Sequence, residues 1–153
     1  MRRRTVLAAA AGVPLAALAA GGLSRTLQGD AVLVFDARLA RGRAAAANAA
    51  RAGIASRASG GEIAALLLDR GHTLPQCIFG VTCHAEMILA ADVLRQRGWQ
   101  LHEAMRFGGR DTWRAASHLG ERELAGLRDL LLPLQGRGDI TAGRGWIALR
   151  NKL

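Results

Sequence analysis

A thiol, an imidazole and a carboxylate fall within four positions at Cys83, His84 and Glu86, directly after the hydroxyl of Thr82. Upstream lies an apolar run, Cys77-Ile78-Phe79-Gly80-Val81; downstream, apolar residues recur at helical spacing. This order predicts a buried strand feeding a helix over 83–97, with Thr82 as the N-cap and Gly98 as the stop. A helix N-terminus carries unpaired amides and the positive end of the dipole, so an anion is favoured there. Thr82 and His84 are therefore candidate ligand-binding residues, and the competing reading of Thr82 is a plain cap. Asp36 ends a second apolar run, residues 31–35. It is the candidate catalytic residue, as nucleophile or base, with an acidic N-cap as the competing reading. Gly60 and Gly61 complete the candidate anion-binding set. No metal site is expected and no cofactor is assigned.

The two cysteines read differently from a redox pair. An extended strand between Cys77 and Cys83 holds their Cα atoms beyond the ~7 Å limit for a disulfide, so two free thiols are expected. Cys83 at the start of a helix has the position of a reactive thiolate. His84 is not its ready base, because adjacent helical side chains diverge by about 100°. A buried structural thiol is the alternative. Glu103 breaks the apolar alternation around it and is expected to pair with an arginine. Arg137-Gly138-Asp139 matches an adhesion tripeptide by letters only.

Two enzyme resemblances rest on these residues. Asp36 and Thr82, at the ends of two strands, resemble the haloacid dehalogenase-like phosphatases in two short stretches. Arg38 stands where that family has its second Asp. His84-Ala85-Glu86 resembles the zinc-binding triplet of cytidine deaminases, in which the His holds zinc and the Glu moves protons. No Cys follows Cys83, so the downstream ligands of that family are absent.

The elements that position these residues alternate along the chain. Residues 31–35 are continuously apolar and β-branched, as in a strand covered on both faces. An Ala-rich helix follows over 38–52, with Gly53 as its stop. A weak strand is expected at 54–58, a short helix at 63–69 and a strand at 76–80. After the 83–97 helix, alternation over 99–107 predicts a half-buried strand with Trp99, Leu101, Met105 and Phe107 on one side. A short helix is expected over 112–118, an amphipathic helix over 121–132 ended by Pro133, and a closing strand at 146–149. This order predicts an α/β fold, three-layer, with a mostly parallel sheet of about five strands and helices on both faces. In such sheets ligands bind outside the carboxyl ends of the strands, where Asp36, Ser59-Gly60-Gly61 and Thr82 are placed.

The N-terminus reads as an address. Arg2-Arg3-Arg4 precedes an Ala-rich apolar run, residues 6–20, that is shorter than the roughly 20 residues of a spanning helix. Residues 1–19 are expected to be a signal peptide, 20–30 a flexible linker and 31–153 a single α/β domain. Arg3-Arg4-Thr5-Val6-Leu7 resembles the twin-arginine translocation signal, with Ala8 where Lys is usual; Sec export is the alternative. The resemblance implies the twin-arginine export machinery as a partner, a periplasmic location, and possible service to an exported redox enzyme. Membrane attachment follows only if the leader is uncleaved. Residues 31–107 also resemble uncharacterised exported proteobacterial proteins of similar size, through Val32-Leu33-Val34-Phe35-Asp36-Ala37-Arg38 and Gly80-Val81-Thr82-Cys83-His84-Ala85.

Composition narrows the classes further. The net charge is +9, but three of those charges lie in the leader and the other arginines are scattered. Nucleic-acid binding would call for a basic stripe with interleaved aromatics, and aromatics are only 4%, so no nucleic acid is expected. The expectation is an exported small α/β accessory or ligand-binding protein of the periplasm. The alternative is a periplasmic hydrolase or transferase acting on an anionic substrate, phosphate- or carboxylate-bearing, at a crevice formed by Asp36 and the Thr82 helix N-terminus.

Overall fold

The computed structural model describes residues 29–69, 71, 73–108, 110–114, 119–135 and 141–152. The leader, most of the 20–30 linker and Arg137-Gly138-Asp139 lie outside the described residues. The chain runs β1 (Ala31–Phe35), α1 (Ala40–Ala52), β2 (Ala55–Ala58), α2 (Ile63–Leu68), β3 (Cys77–Thr82), α3 (His84–Gln96), β4 (Trp99–Phe107), β5 (Thr112–Trp113), α4 (Glu121–Leu130), a 3-10 turn (Leu132–Leu134) and β6 (Gly143–Arg150). The fold is α/β with a six-stranded sheet in the order β2-β1-β3-β6-β4-β5.

The sheet is mixed, which corrects the expectation of a mostly parallel one. β1 pairs in parallel with β2 and β3, whereas β6 is antiparallel to both β3 and β4, and β5 is antiparallel to β4. Strands β1 to β4 therefore point one way, and β5 and β6 the other. The cause is the β4–β5 reversal. Beyond it, Arg122 in the first turn of α4 pairs with Asp30 just before β1, and Leu131 past the end of α4 lies against Gly145, near the rim where β1 and β3 end. β6 enters from that rim and fills the gap between β3 and β4. Residues 112–113, expected to open a helix, are instead the short strand β5, and 115–118 lie outside the described residues.

The side chains of the continuous apolar strands divide between two buried clusters. Ala31 and Leu33 of β1 join Phe79 and Val81 of β3 in one cluster with Ala45 and Ala49 of α1 and Leu127 and Leu130 of α4. Val32, Val34 and Ile78 join a second cluster with Ile63 of α2, Met87 and Leu94 of α3, and Trp146. The Ala faces of α1 let it lie close to the sheet. Asn48 Nδ2 ties α1 to α4 by donating to the Leu130 carbonyl at 3.1 Å. β4 changes faces midway. A bulge between Glu103 and Met105 leaves Trp99 and Leu101 in the second cluster and sends Met105 and Phe107 to the first. The four aromatic and aliphatic residues thus do not share one side, as simple alternation predicts.

One topological feature positions the site. β2 lies on one side of β1 and β3 on the other, so the chain reverses its direction of travel across the sheet between them. The connections leaving β1 and β3 go to helices in different clusters, the topology that in open α/β sheets places ligand sites outside the carboxyl ends of the strands. Among the described residues no helix is long and apolar enough to cross a membrane.

Candidate functional site

Asp36 sits where β1 runs out. Its amide donates to the Val81 carbonyl at 2.9 Å, and its own carbonyl accepts from the Leu39 amide at 3.1 Å. The approach of α1 is close: a Cβ on Gly42 would lie 2.2 Å from the Asp36 carbonyl oxygen, so only glycine fits there. The Asp36 side chain is 3% exposed and takes three hydrogen bonds from Arg38. The Arg38 amide and Nε donate to Oδ1, both at 2.9 Å, and Nη2 donates to Oδ2 at 2.8 Å. These side-chain hydrogen bonds hold the carboxyl below its ordinary pKa against the opposing effect of burial. Arg38 is raised in turn by the hydrogen bonds and the charge of Asp36, and more weakly by the nearby Glu86 carboxylate. With both oxygens engaged, Asp36 is an ionic anchor for Arg38.

The second wall comes from the end of β2. The Ser59 amide donates to the Phe35 carbonyl at 2.8 Å, and its hydroxyl donates to Glu86 Oε1 at 2.9 Å. Gly60 and Gly61 follow with φ of +61° and +83°, a turn that side-chain-bearing residues rarely adopt. The Arg38 guanidinium lies along this turn, within 4.0 Å of where a Gly61 Cβ would stand. The predicted glycines are thus at the rim, against the arginine.

The third wall is the β3–α3 junction, and here the cap prediction is corrected. Thr82 is the last residue of β3 and fully buried; Cys83 is the N-cap and α3 begins at His84. Thr82 has another task. Its hydroxyl accepts from Trp146 Nε1 at 3.0 Å and donates to the Cys83 carbonyl at 3.1 Å. The indole fits only because residue 80 is glycine, since a Cβ there would come within 1.9 Å of the ring. Moving the cap by one residue makes Glu86 the N3 residue. Ncap and N3 side chains face each other across the first turn, as in a capping box.

The junctions of β1 with α1 and of β3 with α3 therefore converge on one point. An oxygen of Asp36, Sγ of Cys83 and an oxygen of Glu86 all lie within 4.8 Å of one another. Cys83 is half-buried and reaches solvent, while Glu86 is 4% exposed. Glu86 Oε2 is buried without a hydrogen-bond partner among the described residues. A half-buried thiol beside a buried carboxylate at a helix N-terminus is suited to nucleophilic chemistry or to holding a cation. His84 begins α3 but is exposed and does not belong to the trio. Cys77 stands at the opposite end of β3; both thiols are free, as expected. Burial pushes the Cys77 thiol up to about 12.

One strand further along the rim, Thr82 is directly opposite Arg144, which is opposite Arg106. Glu103 lies between them. Arg106 Nε bonds its Oε1, and Arg144 Nε is 3.8 Å from the same oxygen. Burial raises the Glu103 pKa, but the Arg106 hydrogen bond and the charges of Arg106, Arg144 and Arg114 outweigh it and hold it low. The expected Glu103–arginine pairing is present.

Sequence reasoning singled out Asp36, Gly60, Gly61, Thr82 and His84. Arg38, Ser59 and Glu86 were not in that set, and Cys83 was weighed against a structural thiol. The available signal was Cys83-x-x-Glu86, which has N-cap-to-N3 spacing once the strand is allowed to run through Thr82. No family model matches this chain, and comparisons with curated proteins and with solved structures give no match.

Proposed function

We propose that this chain is a thiol-dependent hydrolase or transferase of the bacterial periplasm, acting on a substrate that carries a carboxylate or phosphate. The observation supporting this reading is the convergence of Cys83, Glu86 and Asp36 within 4.8 Å at the strand switch. Cys83 is the nucleophile. Its sulfur bonds to an electrophilic carbon of the substrate as the thiol proton passes to the Glu86 carboxylate. The electron pair released onto the substrate oxygen meets the free amides of the first turn of α3. Glu86 returns the proton to the leaving group, and water or a second acceptor then releases the acyl group from sulfur. Asp36 holds Arg38 in place, and the solvent-facing edge of the guanidinium receives the anionic part of the substrate. Helices on both sides of the sheet, in a three-layer arrangement, keep this rim rigid.

Alkylation tests the reading without the natural substrate. Iodoacetamide and iodoacetate form the same S–C bond with loss of iodide, and they differ in charge. Cys83 in the folded chain should react faster than in urea. Its preference for iodoacetate should exceed that of free cysteine by roughly a few-fold, the modest gain expected from a charge-assisted hydrogen bond at a solvent-exposed guanidinium. Arg38→Gln should remove that preference. A folded Cys83 slower than the unfolded one overturns the nucleophile, and an unchanged preference in Arg38→Gln overturns the anion site. The twin-arginine resemblance supports the periplasmic location. Replacing Arg3 and Arg4 together by Lys should retain the protein in the cytoplasm on fractionation; export unchanged by that replacement points to the Sec route.

A further inference from the structure

The cluster of Asp36, Cys83 and Glu86 has more acceptors than donors. Among the described residues Arg38 is the one cation that reaches it by hydrogen bonds, and those go to Asp36. Ser59 supplies Glu86 Oε1, which leaves Oε2 buried at 4% residue exposure with no donor. A buried carboxylate oxygen without a partner is costly, and a positive group bound beside it would remove that cost. Arg38 itself is poorly placed to fill it, being 69% exposed and lying along Gly61 on the outer side.

We propose that Asp36, Cys83 and Glu86 form a binding site for a borderline-soft divalent cation of the Zn²⁺ type, with Arg38 as the built-in competitor that the ion displaces from Asp36. The ligand set decides the class of ion. One sulfur and two carboxylate oxygens suit Zn²⁺ or Co²⁺, whereas Mg²⁺ and Ca²⁺ take oxygen alone. Three protein ligands are the number found where zinc keeps an open fourth position. Tetrahedral zinc with Zn–S near 2.3 Å and Zn–O near 2.1 Å brings its ligand atoms to about 3.5 Å apart. The trio, within 4.8 Å now, closes by roughly 1 Å through side-chain rotation. Its ligands come from two separate junctions, the loop after β1 and the start of α3, so the ion ties these two junctions together. Bound metal occupies the Cys83 sulfur and blocks its use as a nucleophile. The site itself stands on the ligand geometry and does not need the catalytic reading.

Cobalt titration of the untagged full-length chain under reducing, metal-free conditions tests this directly. One Co²⁺ per chain should bind and give a near-ultraviolet sulfur-to-cobalt charge-transfer band. The band should persist in Cys77→Ser and vanish in Cys83→Ser. Glu86→Gln should weaken binding at least ten-fold, and Arg38→Ala should tighten it at least ten-fold by removing the competitor. A second measurement needs no variant: Zn²⁺ should protect Cys83 of the native chain from iodoacetamide, and a chelator should restore labelling. No charge-transfer band at saturating Co²⁺, a band retained in Cys83→Ser, or labelling indifferent to Zn²⁺ overturns the metal site. Arg38→Ala binding no tighter than wild type overturns the exchange. Labelling of Cys83 in metal-free buffer is the separate readout of the nucleophile, so either idea can fail alone.

Discussion

The two cysteines flank one strand and live in different chemical worlds. Cys77 opens β3 and is 4% exposed in an apolar cluster, with its thiol pushed up to about 12 by burial. Cys83 follows the last residue of β3, half-buried, with two carboxylates and an arginine around it. Residue type is the same, and so is the strand. The difference comes from topology. The end where Cys77 sits is sealed by core packing, whereas the Cys83 end opens where β1 and β3 send their connections to different clusters.

Breaking the comparison at its root needs a single methyl group. Gly80 lies between the two thiols and leaves space for the Trp146 ring, which a Cβ would approach to 1.9 Å. Overpacking a filled core costs about 1–3 kcal/mol and sometimes more. Gly80→Ala should therefore lower stability by about 3 kcal/mol, read as a drop in the urea midpoint. Trp146 would also be driven from Thr82, so Cys83 should lose its distinct labelling rate while Cys77 gains exposure. A midpoint within experimental error of wild type would show that the indole relocates without cost.

The contrast is sharpened by counting thiols. Burial pushes the Cys77 thiol up to about 12, so it is overwhelmingly un-ionised at pH 8. A disulfide reagent at that pH should modify one thiol quickly in the folded chain and two in urea. In Cys83→Ser the fast phase should be absent. Two fast thiols in the folded wild type would contradict the sealed end.

These outcomes also measure what could be read from residues alone. The strands were legible because β1 and β3 are continuously apolar, and such runs are buried on both faces whichever way they point. For the same reason the direction of β6 was not legible. Trp146-Ile147-Ala148-Leu149 reads alike in a parallel or an antiparallel slot, and only the β4–β5 reversal decides. The Glu103 irregularity was visible, but not that it marks a bulge exchanging the two faces of β4. Asp36 and the glycine turn were legible as strand-end residues. Glu86 was obscured by one residue of cap placement, because threonine is a better capping residue than cysteine by propensity. What overrode propensity is long-range: Trp146 claims the Thr82 hydroxyl from a strand 64 residues away.

That claim predicts a smaller effect. Thr82→Val keeps the shape and removes the oxygen, leaving the buried Trp146 N–H without its acceptor and the Cys83 carbonyl without one donor. An unsatisfied buried donor costs about 1–3 kcal/mol, so the urea midpoint should fall, by less than in Gly80→Ala. Labelling should fall selectively at Cys83, with Cys77 still protected. Thr82→Ser keeps the hydroxyl and should restore most of both.

The smallest effect concerns pH, and it also separates the rim from the sealed end. Glu103 is held below its ordinary pKa in the folded chain, by Arg106 first and then by Arg144 and Arg114, despite burial. A carboxylate whose folded pKa lies below its unfolded one contributes stability that is complete above the unfolded value, near 4.5, and is lost as pH falls through the folded value. Glu103→Gln should therefore be slightly less stable than wild type at pH 7, the loss being small because the paired arginine is exposed to solvent. The difference between the two urea midpoints should shrink once pH drops below 4.5 and close at more acid values. High salt should narrow it at pH 7 as well, because Arg106 is exposed to screening. Protection factors over residues 103–106 and 144, taken relative to the intrinsic exchange rate at each pH, should fall on acidification before those around Cys77 change. A midpoint difference that stays constant from pH 7 to pH 3 would mean that Glu103 contributes by its shape in the β4 bulge and not by its charge.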